Sequence, residues 1–212
     1  MVGHKIADGG LKKACVRGKE MLRVEGYGDR KHFNDISFSA HASEVLGITG
    51  LLGDGRSELF LSIFKAGLPA DGKLFIAGKE AAFSSTSDAV QKGVAYLPRN
   101  RKENAIVKDM TILENASLAS LAKYRKLCFI DRKRERRDFE NHARNLHIKM
   151  ESGDDLITNL SGGNQQKVVL SKWLNTEPKV LVLDNPTQGV DVGAKEEIYE
   201  IIEKLAASGV AV

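Results

Sequence analysis

Gly50-Leu51-Leu52-Gly53-Asp54-Gly55-Arg56-Ser57 lies between an apolar run and a helical pattern, and its reading decides the fold. Upstream, Val45-Leu46-Gly47-Ile48-Thr49 within residues 44–49 has the composition of a buried strand. Downstream, Leu59, Phe60, Ile63 and Phe64 recur at helical spacing across residues 56–65. Strand, glycine loop and helix together suit a phosphate. Glycines let the backbone approach the anion, N–H groups turn inward, and the helix N-terminus favours negative charge. The frame is GxxGxGx followed by Ser or Thr. Gly50, Gly53, Asp54, Gly55, Arg56, Ser57 and Glu58 are therefore candidate nucleotide-binding residues. Arg56 stands where such a loop normally places a lysine on the β- and γ-phosphates, and a planar guanidinium is not equivalent to an ammonium. Ser57 can offer its hydroxyl to Mg²⁺. Taken alone, the stretch also reads as an ordinary βα turn with glycines.

Working outward, residues 21–25 and 32–38 alternate in apolar character and predict strands, as do residues 73–76 and Val94–Leu97. A short helix is expected over residues 87–92. Residues 110–147 turn helical and charged, without strand patterns. Further helices are expected over residues 164–174 and over residues 194–206, where Ile198, Ile201, Ile202 and Leu205 share one face. Residues 179–183 read as a buried strand and residues 209–212 as the opening of one more. Residues 1–20 are polar, basic and linker-like. Strands alternating with helices imply an α/β fold with a mostly parallel sheet. The helical block between the glycine loop and the last full strand implies an inserted helical subdomain.

Two further segments carry chemistry. Lys179-Val180-Leu181-Val182-Leu183-Asp184 delivers Asp184 at the C-terminal end of a strand, where α/β sheets bind ligands. This is a Walker B pattern, in which the aspartate supports Mg²⁺. The next residue normally is a Glu that polarises the attacking water; here it is Asn185, which cannot act as a base near neutral pH. The other segment is Leu160-Ser161-Gly162-Gly163-Asn164-Gln165-Gln166-Lys167-Val168. Ser161 followed by two glycines opens a helix and makes a second anion-receptive N-terminus. Its alternative reading is a serine cap with flexible glycines.

Composition sets bounds. The 212 residues suffice for one α/β domain, and 42% apolar with 28% charged residues is ordinary globular composition. No stretch approaches the ~20 apolar residues of a membrane span, and residues 1–10 lack a secretory pattern. Cys15 and Cys128 have neither CxxC spacing nor neighbouring histidines, so no metal site is expected. The net charge of +4 permits a nucleic-acid partner. However, the basic run Arg132-Lys133-Arg134-Glu135-Arg136-Arg137 has an acidic residue within it and reads as a solvated helix face. No nucleic acid is expected.

These segments together resemble the nucleotide-binding domain of ABC transporters. More narrowly, they resemble the C-terminal cassette of the tandem ATPases that serve ribose- and galactose-type importers. Gly55-Arg56-Ser57-Glu58-Leu59 is similar to that cassette's Gly-Arg-Thr-Glu-Leu, Leu160 to Val168 is the family's LSGGNQQKV, and Gly189-Val190-Asp191-Val192-Gly193-Ala194-Lys195 is similar to its D-loop segment. Met1-Val2-Gly3 resembles the linker between the two cassettes. The resemblance implies a P-loop NTPase core of ABC type, with an antiparallel β subdomain and a helical subdomain at about residues 99–160, in a cassette over residues 21–212 that stops short at its C-terminal end. It implies ATP and Mg²⁺ as ligands, with Ser57 and Asp184 toward the metal. Its implied partners are a second cassette in the same parent chain and membrane permease subunits, at the cytoplasmic face of the membrane. A soluble ABC protein acting on nucleic acid or ribosomes is the competing class, and a purely structural cassette is another.

In such a pair of cassettes, each ATP lies between one domain's Walker motifs and the other's signature. Ser161, Gly162, Gly163, Gln165 and Asp191 would then serve the partner's nucleotide. Tyr27, with Phe33 second, is the candidate for stacking on adenine. Residues 99–120 are expected to meet the permease. Three positions are unusual: Arg56 against the lysine common in phosphate loops, although that cassette also has Arg there, and Asn185 and Arg99 against the cassette itself, Arg99 at the Q-loop position that senses γ-phosphate in many ABC domains. All three belong to the Walker side. The expectation is a degenerate site that binds Mg-ATP and turns over slowly, beside an intact signature. Replacing Gly163 by Asp should place charge beside the partner's γ-phosphate.

Overall fold

The computed structural model describes residues 17–51 and 53–212, so most of the linker-like segment lies outside the described residues. Strands β1 (Glu20–Gly28) and β2 (Ile36–His41) are followed by helix α1 (Arg56–Ile63), strands β3 (Asp71–Ile76) and β4 (Lys79–Glu80), helix α2 (Thr86–Gln91) and strand β5 (Val94–Leu97). A helical block comes next: α3 (Arg101–Asn104), α4 (Ile112–Ser117), α5 (Leu121–Tyr124), the two-residue strands β6 (Arg125–Lys126) and β7 (Phe129–Ile130), and α6 (Arg132–Asn145). The chain closes with α7 (Gly162–Leu174), β8 (Val180–Leu183) and α8 (Val192–Ala207).

Antiparallel pairing builds the larger sheet, in the order β2-β1-β3-β4. Parallel pairing is narrower than the alternation of strands and helices suggests. β5 and β8 pair in parallel, Val180 bridges to Ala211, and Val212 bonds to both Glu44 O and Leu46 N–H at 2.9 and 2.8 Å. Residues 44–46 therefore lie beside 211–212, which lie beside β8, as in a parallel sheet. With only those two bonds, residues 44–49 do not form the regular strand expected of them. β2 also starts later than expected. The Asp29 carboxylate accepts the backbone N–H groups of Lys31, His32 and Phe33, which curls residues 29–33 into a loop. A two-residue hairpin, β6–β7, interrupts the stretch read as wholly helical.

Three apolar clusters hold these layers. The first joins the antiparallel sheet to α1 and one side of β5 and β8, with Phe64, Tyr96 and Trp173 packed ring to ring. A second lies between Leu97, α7 and α8, where Ile198, Ile201 and Ile202 present the face read from the sequence. The third packs α4 and α6 onto Val168 of α7 through Ile112, Phe139 and Ala143. A Thr111–Glu114 capping box starts α4 and Asp131 caps α6, so each helix begins where its side chains satisfy free N–H groups. In α6, the arginines of the basic run are exposed and Arg132, Arg134 and Arg136 pair with Glu135, Asp138 and Asp154. Glu135 itself is buried and accepts the Ser117 hydroxyl, so the run is only partly a solvated face.

Lys172 is the anomaly of this interior. Its ammonium is buried in α7 and donates to the Ala105 carbonyl at the end of the α3 turn. Burial drives its pKa down to about 8. Between about pH 8 and the ordinary 10.5, the unfolded chain holds this proton and the folded chain does not. Stability therefore rises with pH across that window, by an amount of order 3 kcal/mol. Urea denaturation from pH 7.5 to 10 should show this rise in the native chain and a flatter profile in Lys172→Met. Equal slopes would show that the ammonium is not desolvated.

Candidate functional site

α1 begins from a loop that depends on glycine. Gly53 and Gly55 have φ of 82° and 84°, in the left-handed region. A Cβ on Gly55 would also lie 2.3 Å from the His32 carbonyl of the Asp29-centred loop. No side chain caps the helix from the N-cap position, Gly55. Instead, the Asp54 carboxylate folds back: Oδ1 accepts the Arg56 N–H at 3.1 Å, and the Arg56 Nε lies 2.7 Å from Oδ2. The Arg56 Nη1 reaches the Ile48 carbonyl at 3.5 Å.

This loop forms one wall of a cleft of about 1040 Å³ that Gly53, Asp54, Arg56, Ser57, Asp184 and Asn185 all line. Arg99 and Glu58 reach the same cleft. Asp184 is buried at the end of β8, 7% exposed, and Tyr96 of β5 donates its hydroxyl to Oδ2 at 3.4 Å. Burial, with the Asp184 charge beside it, raises the Tyr96 pKa, so the phenol stays a donor. Asn185 is exposed and has a φ of 51°, a conformation Asn tolerates better than most side chains. The Ser57 hydroxyl and the Asp184 carboxylate share this cleft, and such oxygen donors fit a hard cation held mainly through a phosphate. Among the described residues, no group of three or more His, Cys, Asp or Glu could hold a metal by itself.

The signature turn lies elsewhere. Ser161 caps α7, its Oγ accepting from Asn164 N–H. Ser161, Gly163 and Asp191 line a separate cavity of about 210 Å³, together with Lys149, Lys167 and Glu197. Asp191 caps α8 through Ala194 N–H at 2.8 Å. Gln165 is buried and donates to the Ile157 and Leu160 carbonyls at 3.3 and 3.1 Å, so its amide braces the turn from within. A Cβ on Gly163 would lie 2.6 Å from the Ala194 Cβ. An aspartate at 163 therefore strains the contact of α7 with α8 as well as adding charge.

Tyr27 and Phe33 are placed in the core rather than on the cleft. Tyr27 is 9% exposed, stacks on Phe33 with centroids 6.2 Å apart, and its pKa is raised by burial.

Two residues that the sequence reading passed over join the parts. Arg101 is buried, and its Nη1 and Nη2 donate to the Gln188 and Gly189 carbonyls at 2.8 and 2.9 Å. Gln188 Oε1 accepts from Arg99 Nε at 2.9 Å and from Asn185 Nδ2 at 3.4 Å. Arg101 opens the single-turn helix α3 and Gln188 lies in a turn, so no apolar spacing marks either.

The family model for the ABC transporter matches residues 33–188, from the Asp29-centred loop through the turn after Asn185. The chain belongs to the ABC transporter family. This ABC transporter ATP-binding domain is 43% identical, over its whole length, to the ribose import ATP-binding protein of Bacillus licheniformis, of which it covers 43%. It is 44% identical over 202 residues, 92% of the chain, to the xylose import ATP-binding protein of Geobacillus kaustophilus and covers 40% of it. The chain thus spans less than half the length of these relatives. Among solved structures, a nucleotide-free ATP-binding cassette from an ABC transporter superposes with a TM-score of 0.76 at 24% identity, covering 90% of this chain and 79% of that one. A dimeric bacterial ABC transporter cassette gives 0.73 at 20%, covering 89% and 84%. The likeness places the ABC transporter domain in the P-loop NTPase fold.

The Gly163 contact makes a direct prediction. Gly163→Asp should lower the thermal midpoint of this domain, and adding Ala194→Gly should restore much of the loss. A midpoint unchanged by Gly163→Asp would show that α7 and α8 are not packed this closely.

Proposed function

We propose that the chain is the ATP-binding cassette of a sugar importer, that it binds Mg-ATP at its own degenerate Walker site, and that it supplies its signature to a partner cassette. The observation that carries this reading is the division of the chemistry between two cavities. Arg99 and Asn185, which depart from the family pattern, line one cleft with Arg56, which stands where phosphate loops commonly have lysine. Ser161, Gly163 and Asp191 line the other. The sugar class rests on the names of the relatives, which are ribose and xylose import proteins. Their greater length leaves room for a second cassette in the parent chain. Membrane permease subunits would be the other partners, with residues 99–120 as the docking segment; Val107 and Leu118 are exposed there at 40% and 38%. The place of action would be the cytoplasmic membrane face. Among the described residues no helix is long and apolar enough to cross a membrane, so attachment would be peripheral through those subunits.

Roles follow from the atoms. Arg56 would supply positive charge to the phosphates, while Ser57 and Asp184 would hold Mg²⁺, which neutralises phosphate charge. The Tyr96 hydroxyl steadies the Asp184 carboxylate. Asn185 can orient a water but cannot take its proton. A cassette that only donates its signature is the competing reading, and the Asp54–Arg56 pair inside the loop speaks for it.

Two variants test the proposal in the assembled transporter. Ser161→Asp keeps a good helix cap while placing a negative charge where a partner's γ-phosphate would sit. ATPase activity should fall at least about tenfold, the factor of ~1.4 kcal/mol in a barrier, with the thermal midpoint retained. Unchanged activity would contradict signature donation. Asn185→Glu should raise turnover at this domain's own site, even though Glu at a left-handed φ costs about 1 kcal/mol of stability. No rise would show that the missing carboxylate does not limit that site.

A further inference from the structure

The phosphate loop holds an anion of its own. Asp54 Oδ2 lies so close over Gly50 that a Cβ there would be 1.9 Å from it, and the Asp54 carboxyl carbon would be 2.9 Å away. Asp54 Oδ1 accepts the Arg56 N–H at 3.1 Å, a donor at the very start of α1. Arg56 Nε lies 3.0 Å from Oδ1 and 2.7 Å from Oδ2. Its Nη1 turns to the Ile48 carbonyl. One carboxylate thus engages both the backbone donor and the cation that the loop would offer a phosphate. We propose that Asp54 is a built-in competitor that sets this site's affinity for nucleoside di- and triphosphates, and that phosphate enters only by displacing it.

The inference rests on the nucleotide-binding reading above and adds an affinity-determining residue to it. A carboxylate left beside a bound polyphosphate repels it, and one that swings out loses its charge-assisted bonds. Either way binding is weaker than in a loop with a small neutral residue at position 54. Partial burial pushes the Asp54 carboxyl up, but the bonds from Arg56 outweigh it and hold it below the usual carboxylate range. The competitor therefore stays charged at neutral pH and is not switched by it.

A purely structural Asp54 gives the opposite result. If it only ties the turn to Arg56, its removal loosens the loop and weakens nucleotide binding. Calorimetry on the wild-type chain, Asp54→Asn and Asp54→Ala, with ATP, ADP and AMP as probes and thermal melting alongside, separates the two. Asp54→Ala should bind ATP and ADP about tenfold more tightly or better, with AMP unchanged, since AMP lacks the β-phosphate that such a loop encloses. Asp54→Asn should show a smaller gain, because its amide oxygen can still accept the Arg56 N–H. It also carries the test if Asp54→Ala fails to fold. Equal or weaker ATP binding by a folded variant would overturn the inference alone. No nucleotide binding by any folded form, wild type included, would overturn the nucleotide-binding reading and this inference with it.

Discussion

A buried arginine ties the functional segments of this domain together. Arg101 enters from the turn after β5, and its guanidinium donates to two successive carbonyls, Gln188 and Gly189, in the loop after β8. Gly162 of the signature turn lies against it, so closely that a Cβ there would be 2.6 Å from Nη2. The turn after β5, the start of α7 and the loop after β8 therefore meet at one planar cation. Lysine would not replace it, because two carbonyls are read by one rigid fork. Burial lowers the Arg101 pKa, yet a guanidinium keeps its charge. Arg101 thereby ties the start of the helical block to the loop that follows Asp184.

Around this clamp the two halves of the chemistry are held on different supports. The Walker cleft is made by loop ends: the glycine turn before α1, the end of β8, and Arg99. The signature turn is built on helix starts, with Ser161 and Asp191 capping α7 and α8 and Gln165 bracing the turn from inside. Arg56, Arg99 and Asn185 all fall on the first support. Loop ends tolerate changes such as Asn185 at a left-handed φ or Asp54 folded over Gly50. The second support is closed by direct packing of Gly163 on Ala194 and leaves little space for change. This division gives a physical setting for the proposed pairing of a slow site with a donated signature in one domain.

Much of this was legible in the sequence where a period or a capping residue marks an element. α8 and its apolar face, β5, and the start of α7 at Ser161-Gly162 follow from local chemistry alone. Residues 44–49 did not become a regular strand, because ladder formation depends on what lies alongside and only Val212 does. Residues 32–35 carry strand-like alternation but yield to Asp29, whose carboxylate offers three backbone N–H groups a nearer partner. Tyr27 has the chemistry for stacking on a base; its ring faces Phe33, a tertiary choice no local pattern reveals. Arg101 and Gln188 were invisible for the same reason, since their partners lie more than eighty residues away.

The central claim is that this domain's own site retains ATP while its signature drives hydrolysis at a partner's site. The most direct measurement is the identity of bound nucleotide in the parent protein with its permease, acid-quenched during steady turnover of labelled Mg-ATP. The account predicts a slowly exchanging ATP, unhydrolysed over many turnovers, beside a rapidly renewed ADP. Recovery of bound nucleotide as ADP alone, exchanging at one rate, would contradict it.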